Sequence, residues 1–333
     1  MRILIVTDAW LPQVNGVVTT LRKMQEGLTG LGHEVQFVTP QGFRSLPCPT
    51  YPEIRLSLLP YGGVSREIEA FSPDAIHIAT EGPLGSAARR YCLKRGLSFT
   101  SAFHTRFAEY VHARTRIPLG ITYGWLRRFH APSRALMVPT PAVRRDLEAR
   151  GFGNTVAWTR GVDTVTFSPG ERNKLDTERP VFLYVGRVAV EKNIEAFLKL
   201  ELPGSKWVVG EGPLRAHLEK KYPDVYFAGI KTPAELARYY RAADVFVFPS
   251  LTDTFGLVML ESLACGTPVA AFPVSGPIDV IGDSGAGVLH EDLAVACLRA
   301  LDVSRAKARR FAEQFSWKES VSQFASHLRQ VAS

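Results

Sequence analysis

The chain has 333 residues, 46% of them hydrophobic, enough for two domains with proper cores. Its four cysteines, Cys48, Cys92, Cys265 and Cys297, are widely spaced with no Cys-x-x-Cys pair, which argues against a zinc or redox motif, and no apolar run approaches the ~20 residues that a membrane span needs. The net charge of +8 sits in the first half: residues 1–150 hold 19 Lys plus Arg against 11 Asp plus Glu, and the remainder balances 21 against 21. With no nucleic-acid motif beside it, that excess points to an anionic membrane surface ahead of DNA or RNA, the alternative being a basic solvated face with no partner.

Residues 1–7 read as a first strand, since the apolar run is too short for a signal peptide and Asp8 interrupts it. A loop with Pro12, Asn15 and Gly16 leads to a helix over 17–28, with Val17, Leu21, Met24 and Leu28 at helical spacing, and then a strand over 33–39. This βαβ start lacks Gly-x-Gly-x-x-Gly, which disfavours a nicotinamide-dependent dehydrogenase. Residues 40–60 carry Pro47, Pro49, Pro52 and Pro60 and are expected to hold little regular structure beyond a short strand near 54–58. A short helix over 62–71, a strand over 75–78, a helix over 85–95 and a strand over 99–103 follow, with His104 at the carboxyl end of the last. Residues 112–130 mix aromatic and basic side chains, among them Arg114, Arg116, Tyr123, Trp125, Arg127, Arg128 and Phe129. That mixture suits an interfacial helix, or a core helix with a wet face. A strand over 136–139, a helix over 142–150 and a strand over 156–159 complete the first half.

Residues 171–180 are polar and charged and read as a linker. A fresh strand over 181–185 opens the second half. Gly186 to Asn193 follows it, a glycine loop with Arg187 and Lys192 five apart that can grip a diphosphate. Strands over 207–209 and 225–228 come next, then a helix over 233–242.

The stretch from Val245 to Pro277 is the most informative. Val245 to Phe248 reads as a strand buried on both faces, Leu257 to Cys265 as a helix stopped by Gly266 and Pro268, and Val269 to Val274 as another strand. In such a parallel crossover a ligand sits at the carboxyl end of the first strand, here at Asp253, Thr254, Phe255 and Gly256. Glycine and the first helical N–H groups favour phosphate, while two carboxylates, Asp253 and Glu261, suit sugar hydroxyls on either side of it. Alternatively, Asp253 caps the helix and Glu261 is a solvated charge. After Pro277 the chain reads as mostly helical, with a last helix over 311–328.

The run Asp-Thr-Phe-Gly-Leu-Val-Met-Leu-Glu-Ser-Leu-Ala-Cys-Gly-Thr-Pro-Val resembles the E-x7-E motif of retaining GT-B glycosyltransferases of the GT4 type, with Asp253 in place of the usual Glu. The resemblance implies an α/β fold of two doubly wound parallel-sheet, Rossmann-like domains facing across a cleft. It divides the chain into an acceptor-binding domain (1–165), a linker (166–180), a nucleotide-sugar-binding domain (181–315) and a C-terminal helix crossing back to the first domain (316–333). It assigns the donor sugar to Asp253 and His104, the ribose to Glu261, the departing diphosphate to Arg187 and Lys192, and the base-facing turn to Ile230. Backbone around Phe255, Gly256 and Leu257 meets phosphate, and Gly16 lets it come close. Asn15 and Arg106 are implied as acceptor contacts.

The activity implied is that of a hexosyltransferase moving a hexose from a nucleoside diphosphate sugar, a UDP-sugar ahead of a GDP-sugar, to a hydroxyl with retention. The leading acceptor is a membrane lipid of the diacylglycerol or phospholipid type, with a soluble or polyprenyl-linked saccharide next. A non-catalytic nucleotide-sugar sensor is the reading from another class. No cofactor, metal or nucleic acid is expected, and the expected location is the cytoplasm, peripheral on the inner face of the cell membrane.

Overall fold

A computed structural model of the chain describes residues 1–48, 51–172 and 177–332. Pro49, residues 173–176 of the expected linker and the side chain of Arg114 lie outside the described residues. The chain divides into two compact units, Met1–Arg160 with Trp317–Ser333, and Gly161–Ser316.

The first unit runs β1 (Arg2–Val6), α1 (Gly16–Gly30), β2 (Glu34–Val38), β3 (Ser45–Cys48), β4 (Tyr51–Ser57), α2 (Tyr61–Phe71), β5 (Ala75–Ile78), α3 (Pro83–Arg95), β6 (Thr100–Ala102), α4 (Phe107–Thr115), α5 (Leu119–His130), β7 (Leu136–Val138), α6 (Pro141–Ala149) and β8 (Thr155–Ala157). Six of these strands form a parallel sheet in the order β2-β1-β5-β6-β7-β8. Alternation along the strands sends side chains to opposite faces. Leu4, Val6, Ile76 and Ile78 pack with α2 and α3, whereas Ile3, Ile5 and Ala75 pack with Leu21, Met24 and Leu28 of α1. Asp8, just after β1, is buried and holds the start of α3 by accepting from the N–H groups of Leu84 (2.9 Å) and Gly85 (3.3 Å).

Two expectations fail here. Residues 40–60 are not largely irregular, because β3 and β4 pair as an antiparallel ribbon. Proline is tolerated in such a pair, where half of the N–H groups need no ladder partner, and the register shifts at Pro47/Cys48. The aromatic and basic segment is not one helix: α4 ends with Arg116 in the left-handed conformation (φ 60°), and α5 starts after Pro118.

The second unit runs β9 (Val181–Val185), α7 (Ile194–Leu198), β10 (Ser205–Val209), α8 (Arg215–Lys221), β11 (Tyr226–Phe227), α9 (Pro233–Ala242), β12 (Val245–Phe248), α10 (Leu257–Ala264), β13 (Val269–Ala271), α11 (Ser275–Val280), β14 (Gly287–Leu289), α12 (Leu293–Ala300) and α13 (Arg305–Ala312). Its parallel sheet has the order β11-β10-β9-β12-β13-β14. The central strands are apolar on both faces. Val181, Leu183, Val185, Phe246 and Phe248 enter one core, and Phe182, Tyr184, Val245 and Val247 the other. Strand β13 stops at Ala271, short of the expected Val274, whose residue instead precedes α11. Strand β14 falls in a stretch read as mostly helical; three residues are too few for periodicity to mark.

Two arginines of α13 fasten the back of α10. Arg305 donates to the carbonyls of Ala243 (2.8 Å) and Cys265 (3.4 Å) and to the Thr267 hydroxyl (2.9 Å), and Arg309 donates to Ala264 O at 2.9 Å. These bonds satisfy carbonyls that end helices α9 and α10, which have no partner within the helix.

The last helix, α14 (Trp317–Ala332), belongs to the first unit. The single helix expected over 311–328 is therefore broken, with Glu313–Ser316 between α13 and α14. Phe311 and Phe315 pack in the second unit's core, while Val321, Phe324, Ala325 and Leu328 cover Ile3, Ile5 and Trp158 of the first. Trp158 is fully buried, stacks on Phe324 (5.0 Å) and donates its indole N–H to Ser320 O at 3.2 Å. No helix among the described residues is long and apolar enough to cross a membrane. Trp158→Ala should lower unfolding stability by about 3–5 kcal/mol, because it leaves a cavity under α14. Urea denaturation measures this.

Candidate active site

In a parallel sheet, side chains along a doubly covered strand are consumed by the core, so polar chemistry concentrates in the loops after the strands. The strand order reverses direction at β9/β12, the topological switch point where such sheets bind ligands. The loops after β9 and β12 meet there. Asn193 donates its amide to Pro249 O (3.0 Å), and the Thr252 hydroxyl donates to Glu191 O (3.3 Å). Lys192 Nζ contacts Asp253 Oδ1 at 2.5 Å, with both side chains about four-fifths buried (22% and 17% exposed). Asp253 Oδ2 is buried with no hydrogen-bond partner among the described residues. Asp253 thus does not cap α10. It is ion-paired across the two loops instead.

Gly256 holds the N-cap position of α10 with φ 84°. A Cβ there would lie 2.8 Å from Met259 Cε and 3.0 Å from the Phe248 ring, in a backbone conformation that L side chains rarely adopt. No side chain caps this helix; the Met259 N–H donates to Gly256 O at 2.9 Å, while those of Leu257 and Val258 have no capping side-chain oxygen among the described residues. Phe255 is buried and stacks edge-on to Phe315, fixing the approach to that turn.

Arg187 is partly buried in the loop after β9, and its carbonyl accepts the Tyr184 phenol at 2.7 Å. Gly210 (φ 139°) makes room for this loop, since a Cβ there would lie 1.9 Å from Gly186 O. Ile230 follows β11 at the same end of the sheet and is 56% exposed.

Glu261 lies in the second turn of α10, not as a solvated charge. Its Oε2 accepts the Tyr240 hydroxyl of α9 at 3.1 Å, and burial pushes its carboxyl up to about 7 against a bond from Tyr240 that pulls it down.

In the first unit, Asn15 and Gly16 follow β1 and His104 follows β6, again at the carboxyl ends of the strands. Asn15 caps α1, its Oδ1 accepting from the N–H groups of Val17 and Val18 at 3.0 Å each, and Gly16 is the first helical residue. Arg106 is committed to an internal network: Nη1 lies 2.8 Å from Asp146 Oδ2 and 3.2 Å from Glu109 Oε1, and Tyr123 donates to the same Glu109 oxygen at 2.7 Å.

His104 packs edge-on to Trp158 (5.6 Å) and its Nδ1 lies 3.5 Å from Arg160 Nη2. Burial first, then the Arg160 charge and His77, holds the His104 imidazole far below its ordinary range, so it is neutral at physiological pH. Arg160 is itself 3% exposed, lies over the Trp158 ring (3.9 Å) and donates to the carbonyls of Trp158 (2.7 Å) and Thr159 (3.1 Å). Burial pushes this guanidinium down to about 9.

Arg160 and Tyr240 are the members that sequence reasoning passed over. Arg160 follows the strand expected over 156–159, and that place at a strand's carboxyl end was the available signal. Nothing in the helical spacing of α9 distinguishes Tyr240 from a core aromatic.

Residues 179–302 match the family model described as glycosyl transferases group 1, and residues 14–166 match that of glycosyltransferase family 4. A GDP-mannose-dependent alpha-mannosyltransferase of Mycobacterium tuberculosis is 30% identical over 316 residues, covering 87% of this chain and 83% of that protein. An alpha-monoglucosyldiacylglycerol synthase of Streptococcus pneumoniae is 30% identical over 348 residues, covering 90% and 78%. Among solved structures, sucrose-phosphate synthase of Thermosynechococcus elongatus superimposes with a TM-score of 0.80 at 20% identity, covering 99% of this chain and 98% of that one. Two parallel six-stranded sheets, these matches along both halves and the geometry at β9/β12 agree: the chain belongs to glycosyltransferase family 4, the glycosyl transferases group 1, has the GT-B type of α/β fold, and is a hexosyltransferase.

Proposed function

We propose that this enzyme transfers a hexose from a nucleoside diphosphate sugar to a lipid hydroxyl, with retention at the anomeric carbon, and that the donor binds at the carboxyl ends of β9 and β12. The observation that carries this reading is the meeting of Lys192 with Asp253 beside the start of α10. A cation, a carboxylate and open helical N–H groups at a switch point suit a ligand that is anionic in the middle and hydroxyl-rich at its ends.

In this reading Lys192 and Arg187 neutralise the charge that grows on the departing diphosphate as the glycosidic C–O bond breaks, assisted by backbone around Phe255, Gly256 and Leu257. Diphosphate on Lys192 loosens its hold on Asp253, whose carboxylate then accepts from the sugar. Glu261 takes the ribose hydroxyls, and Ile230 borders the base. The first unit offers Asn15 to the acceptor, Gly16 as the loop residue that leaves room for phosphate, and His104 as a neutral imidazole able to hydrogen-bond a sugar hydroxyl. The acceptor hydroxyl bonds to the anomeric carbon and passes its proton to the leaving phosphate. Arg106, held by Asp146 and Glu109, acts on the acceptor only through the shape of its network.

The preference for UDP- over GDP-sugars conflicts with the mannosyltransferase relative, whose name specifies GDP-mannose, so GDP-mannose is the donor placed first. The lipid acceptor is supported by the name of the diacylglycerol-directed relative and by the basic first half. Phe107, Ile117, Ile121 and Trp125 are all at least 40% exposed beside Arg127 and Arg128, which suits an anionic lipid surface at the cytoplasmic face.

Slow release of nucleoside diphosphate from GDP-mannose or UDP-glucose should fall by about 10²–10³ in Lys192→Ala; an unchanged rate would remove Lys192 from the reaction. The protein should sediment with anionic phospholipid vesicles at 20 mM salt and be released at 500 mM, as surface charges are screened; no binding at low salt overturns the membrane reading. Glu261 yields a pH signature. A carboxyl raised to about 7 from its ordinary 4.5 keeps its proton longer folded than unfolded, so its contribution to stability is lost as pH rises from about 4.5 to 7. Glu261→Gln should therefore melt higher than wild type without ligand, by an amount that grows between pH 5 and pH 8, up to roughly 3 kcal/mol, while binding nucleotide more weakly.

A further inference from the structure

We infer that Tyr240 is a positioning residue for the donor: its phenol hydroxyl sets the orientation in which the Glu261 carboxylate receives the ribose. This rests on the reading of Glu261 as the ribose contact and extends it to a residue outside the resembled motif.

Tyr240 has no solvent exposure. Its ring is clamped edge-on between Phe167 (6.0 Å) and Phe246 (5.6 Å) within the core of the second unit. Its backbone is held as firmly. The Tyr240 carbonyl accepts from the Thr267 hydroxyl at 2.5 Å, and the neighbouring carbonyls of Arg241 (3.1 Å) and Ala243 (2.8 Å) accept from Arg305. The phenol oxygen therefore stands at a fixed point, and a buried hydroxyl must be hydrogen-bonded. Its partner is Glu261 Oε2, at 3.1 Å.

The arrangement divides the carboxylate. One oxygen is tied inward to the core. No other described group holds Oε1, and that atom is not among the buried atoms left without a partner. A glutamate has three side-chain torsions, and a vicinal diol needs a carboxylate presented in one plane to accept two O–H bonds. Tying one oxygen to a rigid phenol removes the rotation that would misalign the other. The tyrosine ring serves the core, as any aromatic would. The hydroxyl is surplus to packing, and its one described use is to aim Glu261.

The test separates aiming from packing. Tyr240→Phe keeps the ring and its neighbours and deletes only the hydroxyl. Dissociation constants are measured for GDP and UDP and for their 2′,3′-dideoxy forms, in wild type, Tyr240→Phe and Glu261→Ala. The expected result is a 5- to 20-fold loss for the ribonucleotide that binds wild type, and less than 2-fold for its dideoxy form, in Tyr240→Phe. Donor KM rises by the same factor while kcat stays within about 2-fold. An equal loss for both forms makes Tyr240 a packing residue and overturns the inference, as does no loss for either. If Glu261→Ala weakens the ribo and dideoxy forms by the same factor, or neither, the ribose reading of Glu261 itself falls. A selective loss of the ribo form in Glu261→Ala, beside an equal loss or none in Tyr240→Phe, overturns the role of Tyr240 alone.

Discussion

A strand buried on both faces can offer chemistry only at its ends, and this constraint governs the second unit. β9 and β12 spend their side chains on two cores, so everything polar is displaced into the loops that follow them. Because the strands are parallel, those loops fall at one end of the sheet. Because the strand order reverses between β9 and β12, their loops are neighbours with no crossover helix between them. Lys192 and Asp253 are 61 residues apart in the chain and 2.5 Å apart in space for that reason.

Ionisable groups within each unit are held against their own solvation. Glu261 keeps its proton to about 7, Arg160 is buried beside an indole ring with backbone carbonyls as its partners, and His104 is held neutral. Each is costly to the empty fold, since burying a charge is unfavourable unless it is paired.

The scaffold around them is correspondingly over-determined. α10, which carries Glu261 and starts at Gly256, has its far end fastened by Arg305 and Arg309. α9, which carries Tyr240, is closed by a capping box between Thr232 and Glu235 at one end and by Arg305 at the other. In the first unit α14 returns to cover Trp158, which in turn supports both His104 and Arg160. Rigid elements at both ends let short loops hold polar atoms in place.

Much of this was legible in the residues. Apolar runs of four or five with Val and Phe dictated the buried strands β9 and β12, and the spacing from Asp253 to Glu261 placed both acids about the start of one helix. Gly256 had to be glycine because the turn requires φ of 84°. The proline-rich ribbon of β3 and β4 was illegible, because proline reads as a breaker wherever pairing partners are unknown. So was the break between α13 and α14: Phe311 and Phe315 stand at helical spacing, as do Trp317, Val321, Phe324 and Leu328, yet the two sets pack into different cores, and spacing carries no information about which core. Tertiary structure alone decided that Lys192 pairs with Asp253, that Arg160 lies beside His104 and that Tyr240 holds Glu261. Sequence determines what a side chain can bond, but a partner tens of residues away is chosen by strand order and helix packing, which bring the two together only when the sheet has formed.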